Sequence, residues 1–420
     1  MVITSEEEFQ IFIEDFSYSN YYNLKKGKNV IKTSLVPFVI SNSEFFKYVN
    51  EYWTSKQRQS SSIHEISYRA CFKANLPRFF INLLTRPKDT VYDPFAGRGT
   101  TGLEAGLLGR KVILNDVNPL SLALYYPRFF ILEVEEIMNR LNLLTFDYTL
   151  TADIDLSMFF HKQTENEIVA LKHYLNKRQS NNEEDIIDKW IRMVATNRLT
   201  GHSKGFFSVY TLPPNQAISP NRQKEINRKR KQIPDYRDIK SRIIKKTKSL
   251  VRNVSEEERI NLLKAGETGL FLTEKAQNTT EIKNESVQLT VTSPPFLDVV
   301  QYSKDNWLRC WFNDIDDNEV SKNITVTKSL DEWIIVMKGV FKELYRITKH
   351  GGWVAFEVGE VKKGTLKLEE FVVPLGLEAG FNCVGILINM QKFTKTANIW
   401  GIKSNIKGTN TNRVVIFRKK

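Results

Sequence analysis

The sequence predicts an α/β fold: a mostly parallel sheet closed by an antiparallel strand, with a helical insertion. Three observations predict it. A strand, a glycine turn, a helix and a second strand follow one another between Val91 and Leu114. Apolar strand-like runs return late, at 288–291, 353–358, 384–390 and 413–418. Between these blocks, residues 129–268 are polar and patterned as helices. A β-α-β unit implies parallel strands joined by a right-handed crossover.

Val91-Tyr92 ends a short strand, and DPFAGRGTT (93–101) is a tight glycine turn. Thr100 to Leu108 reads as a helix stopped by Gly109, as C-terminal glycines do. Lys111 to Leu114 is the second strand, and Gln288 to Val291 a later one. Leu330, Trp333, Ile334, Met337, Val340, Phe341, Leu344 and Tyr345 fall at three-and-four spacing. That spacing predicts an amphipathic helix, ending at Gly351-Gly352. Trp353 to Val358 is a strand, and Val384–Met390 with Arg413–Arg418 form an antiparallel closing pair. The expected organisation is an N-terminal extension (1–62), a core domain (63–128 and 269–420) and a basic helical insertion (129–268). The extension ends in the polar run Ser55 to Ser62.

At 420 residues and 41% hydrophobic, the chain can bury a full core. No run approaches the roughly 18 apolar residues of a membrane helix, so no membrane partner is expected. The acidic, mixed N-terminus carries no basic stretch followed by an apolar run, so no secretory leader is expected. Cys71, Cys310 and Cys383 form no CxxC pair. Neither a disulfide framework nor a metal site is expected, and a reducing cytoplasmic location fits. The net charge is +13, and thirteen Lys/Arg stand against three acids from Arg222 to Arg252. Such a concentration points to a polyanion, with nucleic acid the first candidate. Arg228, Lys229, Arg230, Lys231, Lys245 and Lys246 are the candidate contacts. The competing reading is a solvated basic helix or linker.

In the turn, Gly97 and Gly99 permit positive φ and let a ligand approach the backbone, and the helix N-terminus favours an electronegative group. The second strand ends in Asn115-Asp116-Val117-Asn118. Asp116, nineteen residues beyond Gly97, is placed to accept ribose hydroxyls. The turn is read as departing from the dinucleotide fingerprint at its third glycine, an argument against NAD.

Thr292-Ser293-Pro294-Pro295-Phe296 follows a strand. Two prolines fix φ and remove two donors, which stiffens the loop and leaves its carbonyls facing outward. The Ser293 hydroxyl and Pro294 carbonyl are acceptors for an NH₂ group, and Phe296 offers a stacking face. Held in this way, the nitrogen lone pair is freed to attack without a covalent enzyme intermediate.

The two motifs together resemble the amino-methyltransferases of DNA, the N4-cytosine and N6-adenine enzymes of restriction–modification systems. The resemblance implies the S-adenosylmethionine-dependent, Rossmann-like form of the α/β fold. It implies that Asp93, Pro94, Phe95, Gly97, Gly99, Thr100 and Thr101 bind S-adenosylmethionine, with Asp116 and Asn118 at the ribose. Ser293, Pro294, Pro295 and Phe296 would hold a flipped base, and Ile63 to Phe80 would cover the methionine end. Glu274, after the third strand, is the match for an acid at the cofactor adenine. The order of motifs is similar to the subgroup whose target-recognition region lies between them. A leading serine is more like the N4-cytosine enzymes, with N6-adenine the alternative. An RNA base methyltransferase and a silent nucleic-acid-binding protein stand further back. The implied partners are double-stranded DNA and a cognate restriction endonuclease. Tyr302, Asp305 and Asn306 are read as possible lining of the base pocket. The stretches 201–205, 393–396 and 408–413 are read as phosphate contacts or as plain turns.

Overall fold

The computed structural model describes residues 2–22, 32–40, 43–54, 60–69, 71–212, 216–295, 302–323, 329–361, 366–390 and 411–420. The chain opens with α1 (Glu6–Glu14), α2 (Tyr18–Tyr21), β1 (Ser34–Ile40) and β2 (Ser43–Asn50). α3 (Asn75–Leu84) leads into β3 (Thr90–Asp93), α4 (Thr100–Leu107), β4 (Lys111–Asn115) and α5 (Pro119–Tyr125). α6 (Val134–Leu143), α7 (Lys162–Ser180), α8 (Ile186–Arg198), α9 (Pro220–Arg230), α10 (Ile239–Val251) and α11 (Glu256–Thr268) form the helical block. β5 (Leu270–Leu272), β6 (Val287–Thr292), α12 (Tyr302–Phe312), α13 (Asp317–Asn323), α14 (Leu330–Ile347) and β7 (Thr348–Val358) follow. The chain closes with β8 (Glu360–Val361), β9 (Leu366–Lys367), α15 (Glu369–Glu378), β10 (Asn382–Met390) and β11 (Thr411–Arg418).

Among the described residues the main sheet runs β1-β2-β10-β11-β7-β6-β3-β4-β5. The stretch β7-β6-β3-β4-β5 is parallel. β11 lies antiparallel between β7 and β10. The fold is therefore α/β, with a mostly parallel sheet and an antiparallel closing strand. Parallel strands are covered on both faces and read as continuous apolar runs. β6 (VQLTVT) and β7 after its glycines show this, with nearly every residue buried. Chain order runs outward from β3 in one direction through β4 and β5, and returns on its other side through β6 and β7. The strand order reverses between β3 and β6, and ligands bind at the carboxyl ends of strands at such a point.

The described residues of the stretch 1–62 contribute directly to this domain. β2 pairs in parallel with β10, with Ile386 opposite Lys47. Phe9 and Ile13 of α1 are fully buried, and the Phe9 ring lies 5.5 Å from that of Trp353. α1 starts where the sequence provides a reciprocal cap, since Ser5 and Glu8 bond each other's backbone.

One expected boundary is corrected. α14 ends at Ile347 and β7 begins at Thr348, so Gly351 and Gly352 lie inside the strand. Gly351 has φ +74°, and its N–H donates to Lys419 O at 2.8 Å. A Cβ on Gly352 would stand 2.9 Å from Lys349 O and 3.1 Å from Gln288 O. The pair bends the strand beside β6. It does not terminate the helix.

The helical block is fastened to the sheet. Trp190 of α8 donates to Thr247 of α10 at 3.0 Å in the buried interior. Ala217 N donates to Asp305 O at 2.7 Å, and the Trp307 indole to Ile218 O at 3.2 Å. Those two bonds join the block to α12. No helix among the described residues is long and apolar enough to cross a membrane.

Candidate active site

A cavity of about 810 Å³, counting its open mouth, lies at the carboxyl ends of β3, β4, β5 and β6. Pro94, Phe95 and Gly97 wall it from the turn, Asp116 and Asn118 from the end of β4, and Ser293 and Pro295 from the end of β6. The structure therefore brings the two sequence motifs, almost two hundred residues apart, into one site.

The turn is built from Asp93 outward. Its buried carboxylate accepts from Thr292 Oγ1 at 2.6 Å and from Phe95 N at 3.1 Å. Burial pushes its pKa up to about 6, against those hydrogen bonds. Gly97 (φ +51°) and Gly99 (φ +74°) take left-handed conformations. A Cβ on Gly99 would stand 2.3 Å from Tyr125 Cβ, so only glycine fits. The Gly97 amide donates to Asp116 Oδ2 at 2.7 Å and Asn118 N donates to Oδ1 at 2.9 Å. Asp116 thus ties the turn to β4. Its oxygens keep further lone pairs for hydroxyl donors. Burial raises its pKa, with the two amides pulling the other way.

Several predicted cofactor residues stand behind the cavity wall. Asp93 braces the turn on β6. Thr100 Oγ1 accepts from Arg98 Nε at 3.1 Å, and Thr101 donates to Val291 O at 3.1 Å. Gly97, Gly99 and Gly102 do fall at the dinucleotide spacing, which corrects the reading that the third glycine breaks it. A Cβ on Gly102 would stand 2.6 Å from Leu114 Cδ1. Its place is close helix–strand packing, and the spacing does not separate NAD from other cofactors.

At the end of β6, the Ser293 hydroxyl donates to Glu357 Oε2 at 2.5 Å. Asn412 Nδ2 donates to Glu357 Oε1 at 3.2 Å, and the Trp53 indole donates to Asn412 at 3.3 Å. Burial raises the Glu357 pKa, while the Ser293 and Asn412 bonds pull it down. Not all of the proline carbonyls face outward as expected, since Pro295 O accepts from the Trp333 indole at 3.0 Å. Phe296 lies outside the described residues, as do 393–396 and 408–410. Tyr302 heads α12. Asn306 is buried and accepts from Arg309 at 2.9 Å. Asp305 pairs with Arg69, at 2.6 Å.

The segment expected over the methionine end supplies Tyr68, Arg69 and Cys71 to the same cavity. Arg98, buried, holds it there through Ile66 O at 2.9 Å and Phe72 O at 3.2 Å. Glu274 lines the opposite end, where its Oε2 is buried without a hydrogen-bond partner. A buried carboxylate oxygen of this kind calls for a donor, and the amino group of an adenine supplies one. With Asp116 for ribose hydroxyls and the glycine turn open to close approach, these residues fit S-adenosylmethionine. Sequence reasoning missed Glu357, and included Arg69 only as part of the segment Ile63 to Phe80. The signal for Glu357 was an acid inside the apolar run WVAFEV.

The basic segment divides. Arg228, Lys229 and Arg230 are exposed on α9, Lys231 follows at its C-terminus, and Lys245 is exposed on α10. Arg230 lies over the Tyr210 ring at 3.8 Å. Lys246 faces inward, 3.8 Å from Glu65, and its burial pushes the pKa down to about 7. It is not a surface contact. Among the described residues, no group of three or more His, Cys, Asp or Glu is placed to hold a metal ion.

Residues 5–125 match a family model described as DNA methylase. The chain is 22% identical over 307 residues to the Type II methyltransferase M.BsoBI of Geobacillus stearothermophilus, covering 69% of this chain and 60% of that protein. It is 44% identical over 63 residues to the Type II methyltransferase M.PvuII of Proteus hauseri, 15% of this chain and 19% of that one. The matched part is thus less than two thirds of either relative's length. A solved rRNA methyltransferase, aviRa from Streptomyces viridochromogenes, aligns over 88% of this chain and 96% of its own, at 10% identity and TM-score 0.34. Family match and site chemistry agree on S-adenosylmethionine as the cofactor.

Proposed function

We propose that this chain, which matches the DNA methylase family over residues 5–125, is a site-specific DNA amino-methyltransferase acting on the N4 amino group of cytosine in duplex DNA. One observation carries the reading. The cofactor turn shares a cavity with Ser293 and Pro295, and the Ser293 hydroxyl there donates to buried Glu357 at 2.5 Å.

S-adenosylmethionine, when bound, supplies an electrophilic methyl group. Asp116 would take its ribose hydroxyls, Glu274 the adenine amino group, and Gly97 with Tyr68 would flank the methionine part. The target base leaves the duplex at a cost of a few kcal/mol, offset by contacts to the DNA. Its amino group meets the Ser293 hydroxyl and the Pro294 carbonyl. As the nitrogen bonds the methyl carbon, that carbon's bond to the cofactor sulfur would break and S-adenosylhomocysteine would leave; the nitrogen becomes cationic and must lose a proton. Ser293 Oγ accepts that proton as its own passes to Glu357, so the serine ends unchanged and Glu357 ends neutral. Proton transfer by a positioned carboxylate is worth about 10²–10⁴ in rate. The leading serine supports cytosine over adenine. The exposed cations of α9 and Lys245 would meet phosphates, and a cognate endonuclease would share the recognition site.

The test is methylation of duplex DNA with labelled S-adenosylmethionine, then digestion to nucleosides and mass spectrometry. N4-methylcytosine that disappears with Ser293→Ala is the expected result. N6-methyladenine would replace the base assignment, and label in RNA alone would overturn the DNA reading.

A further inference from the structure

We propose that Arg69 reads the ring edge of the target cytosine, so that its guanidinium selects cytosine over adenine. This deepens the reading above and rests on it.

Arg69 lines the same cavity as Ser293 and Pro295. The two residues before it are held from both sides. The preceding Tyr68 hydroxyl accepts from Asn118 Nδ2 at 3.3 Å, on the cofactor side. Ser67 O accepts from Arg309 Nη2 at 3.2 Å and from Asn197 Nδ2 at 3.4 Å, on the side of α12 and α8. The guanidinium is oriented as well, because Nη1 donates to Asp305 Oδ2 at 2.6 Å. Asp305 is itself placed by the Ala217 amide on its carbonyl. The Arg69 side chain keeps 35% of its surface open, and it does so at the wall of the cavity.

The chemistry then selects a base. A guanidinium offers five donors in a planar fork that suits two adjacent acceptors. With the cytosine amino group at Ser293, the next positions along the ring edge are N3 and O2, both acceptors. An adenine amino group at the same place is followed by N1 and then by a C–H. One base satisfies a fork and the other half of it. Asp305 holds the fork's plane and balances its charge.

The experiment uses duplexes built on the methylated site, with either cytosine or 3-deazacytosine at the target. The second lacks the N3 acceptor. The readout is the ratio of kcat/KM between the two duplexes, compared between wild type and Arg69→Met. That comparison cancels the intrinsic reactivity of the two bases. The wild type should prefer cytosine by about tenfold more than the variant does, the scale of one lost base contact. Binding of S-adenosylhomocysteine should be equal in both. An unchanged ratio with N4-methylcytosine still formed would overturn the role of Arg69 and leave the cytosine reading standing. An unchanged ratio with weakened S-adenosylhomocysteine binding would overturn it in favour of a cofactor contact. N6-methyladenine as the product would remove both readings together. Should Arg69→Met fail to fold, Asp305→Asn provides the same readout. It releases the guanidinium and should shrink the ratio.

Discussion

Glu357 is an acid in a strand whose neighbours Phe356 and Val358 are fully buried. Its burial raises the pKa above the ordinary value of 4.5. To take a proton from Ser293 it must be ionised. Turnover should therefore fall as pH drops through that raised pKa, and rise to a plateau above it. Glu357→Gln should cut kcat by about 10²–10⁴ and flatten this acidic limb. Cofactor affinity, checked by S-adenosylhomocysteine titration, should not change. Lys246 makes the opposite case. Its pKa is about 7 folded against 10.5 unfolded, so the unfolded chain binds the extra proton across that window. Stability then rises with pH between about 7 and 10.5. Lys246→Met should raise the melting temperature most near pH 6, with the gain fading towards pH 10. Arg252, 2.5 Å from Glu65, remains as that acid's partner. Phe95, Gly97, Asp116 and Ser293 were legible because turn chemistry is local. Glu357 was not, because only strand order brings it to the loop; Arg69 was legible as part of its segment, and its contact with Asp305 of α12 was not. Lys246 was misplaced because a charge run does not reveal which face of its helix is buried.

Among the elements, α9 carries the testable charge. Arg228, Lys229, Arg230 and Lys231 lie within one turn or so and are exposed. If each neutralises a phosphate, replacing all four with alanine should reduce the slope of log K against log salt by about 3 to 4. Fluorescence anisotropy on a duplex at several salt concentrations measures this. A slope within 1 of wild type would place the DNA elsewhere. The elements themselves were largely readable, since α4, α14 and the closing strand pair form where the sequence predicts them. The end of α14 was not. Gly351-Gly352 is a stop signal for a helix and also a bend for a strand, and only pairing with β6 decides between them.

For the molecule as a whole, the N-terminal fifty residues cannot be set apart from the sheet. β2 pairs along β10, and Phe9 and Ile13 fill the core beside Trp353. Removing residues 1–54 would open a long apolar edge at β10 and empty part of the core. The truncated chain should aggregate or melt far below the full one, by scattering and calorimetry. A soluble truncation with an unchanged melting temperature would contradict this. The parallel pairing of β3 with β4 was implied by the β-α-β unit. The membership of β1 and β2 was not, because β10, the strand that β2 joins, lies more than three hundred residues away in the chain.

The two bonds from residues 217 and 218 to α12 have a consequence for selectivity. The segment that leads into basic α9 is fastened to α12, the helix that follows Ser293-Pro294-Pro295 in the chain. A duplex that seats poorly on the insertion would leave that helix, and Asp305 with it, out of position. Sequence choice would then be expressed in turnover more than in residence on DNA. Wrong sites would be occupied and released unmarked, and a tight but non-cognate duplex would act as a competitor.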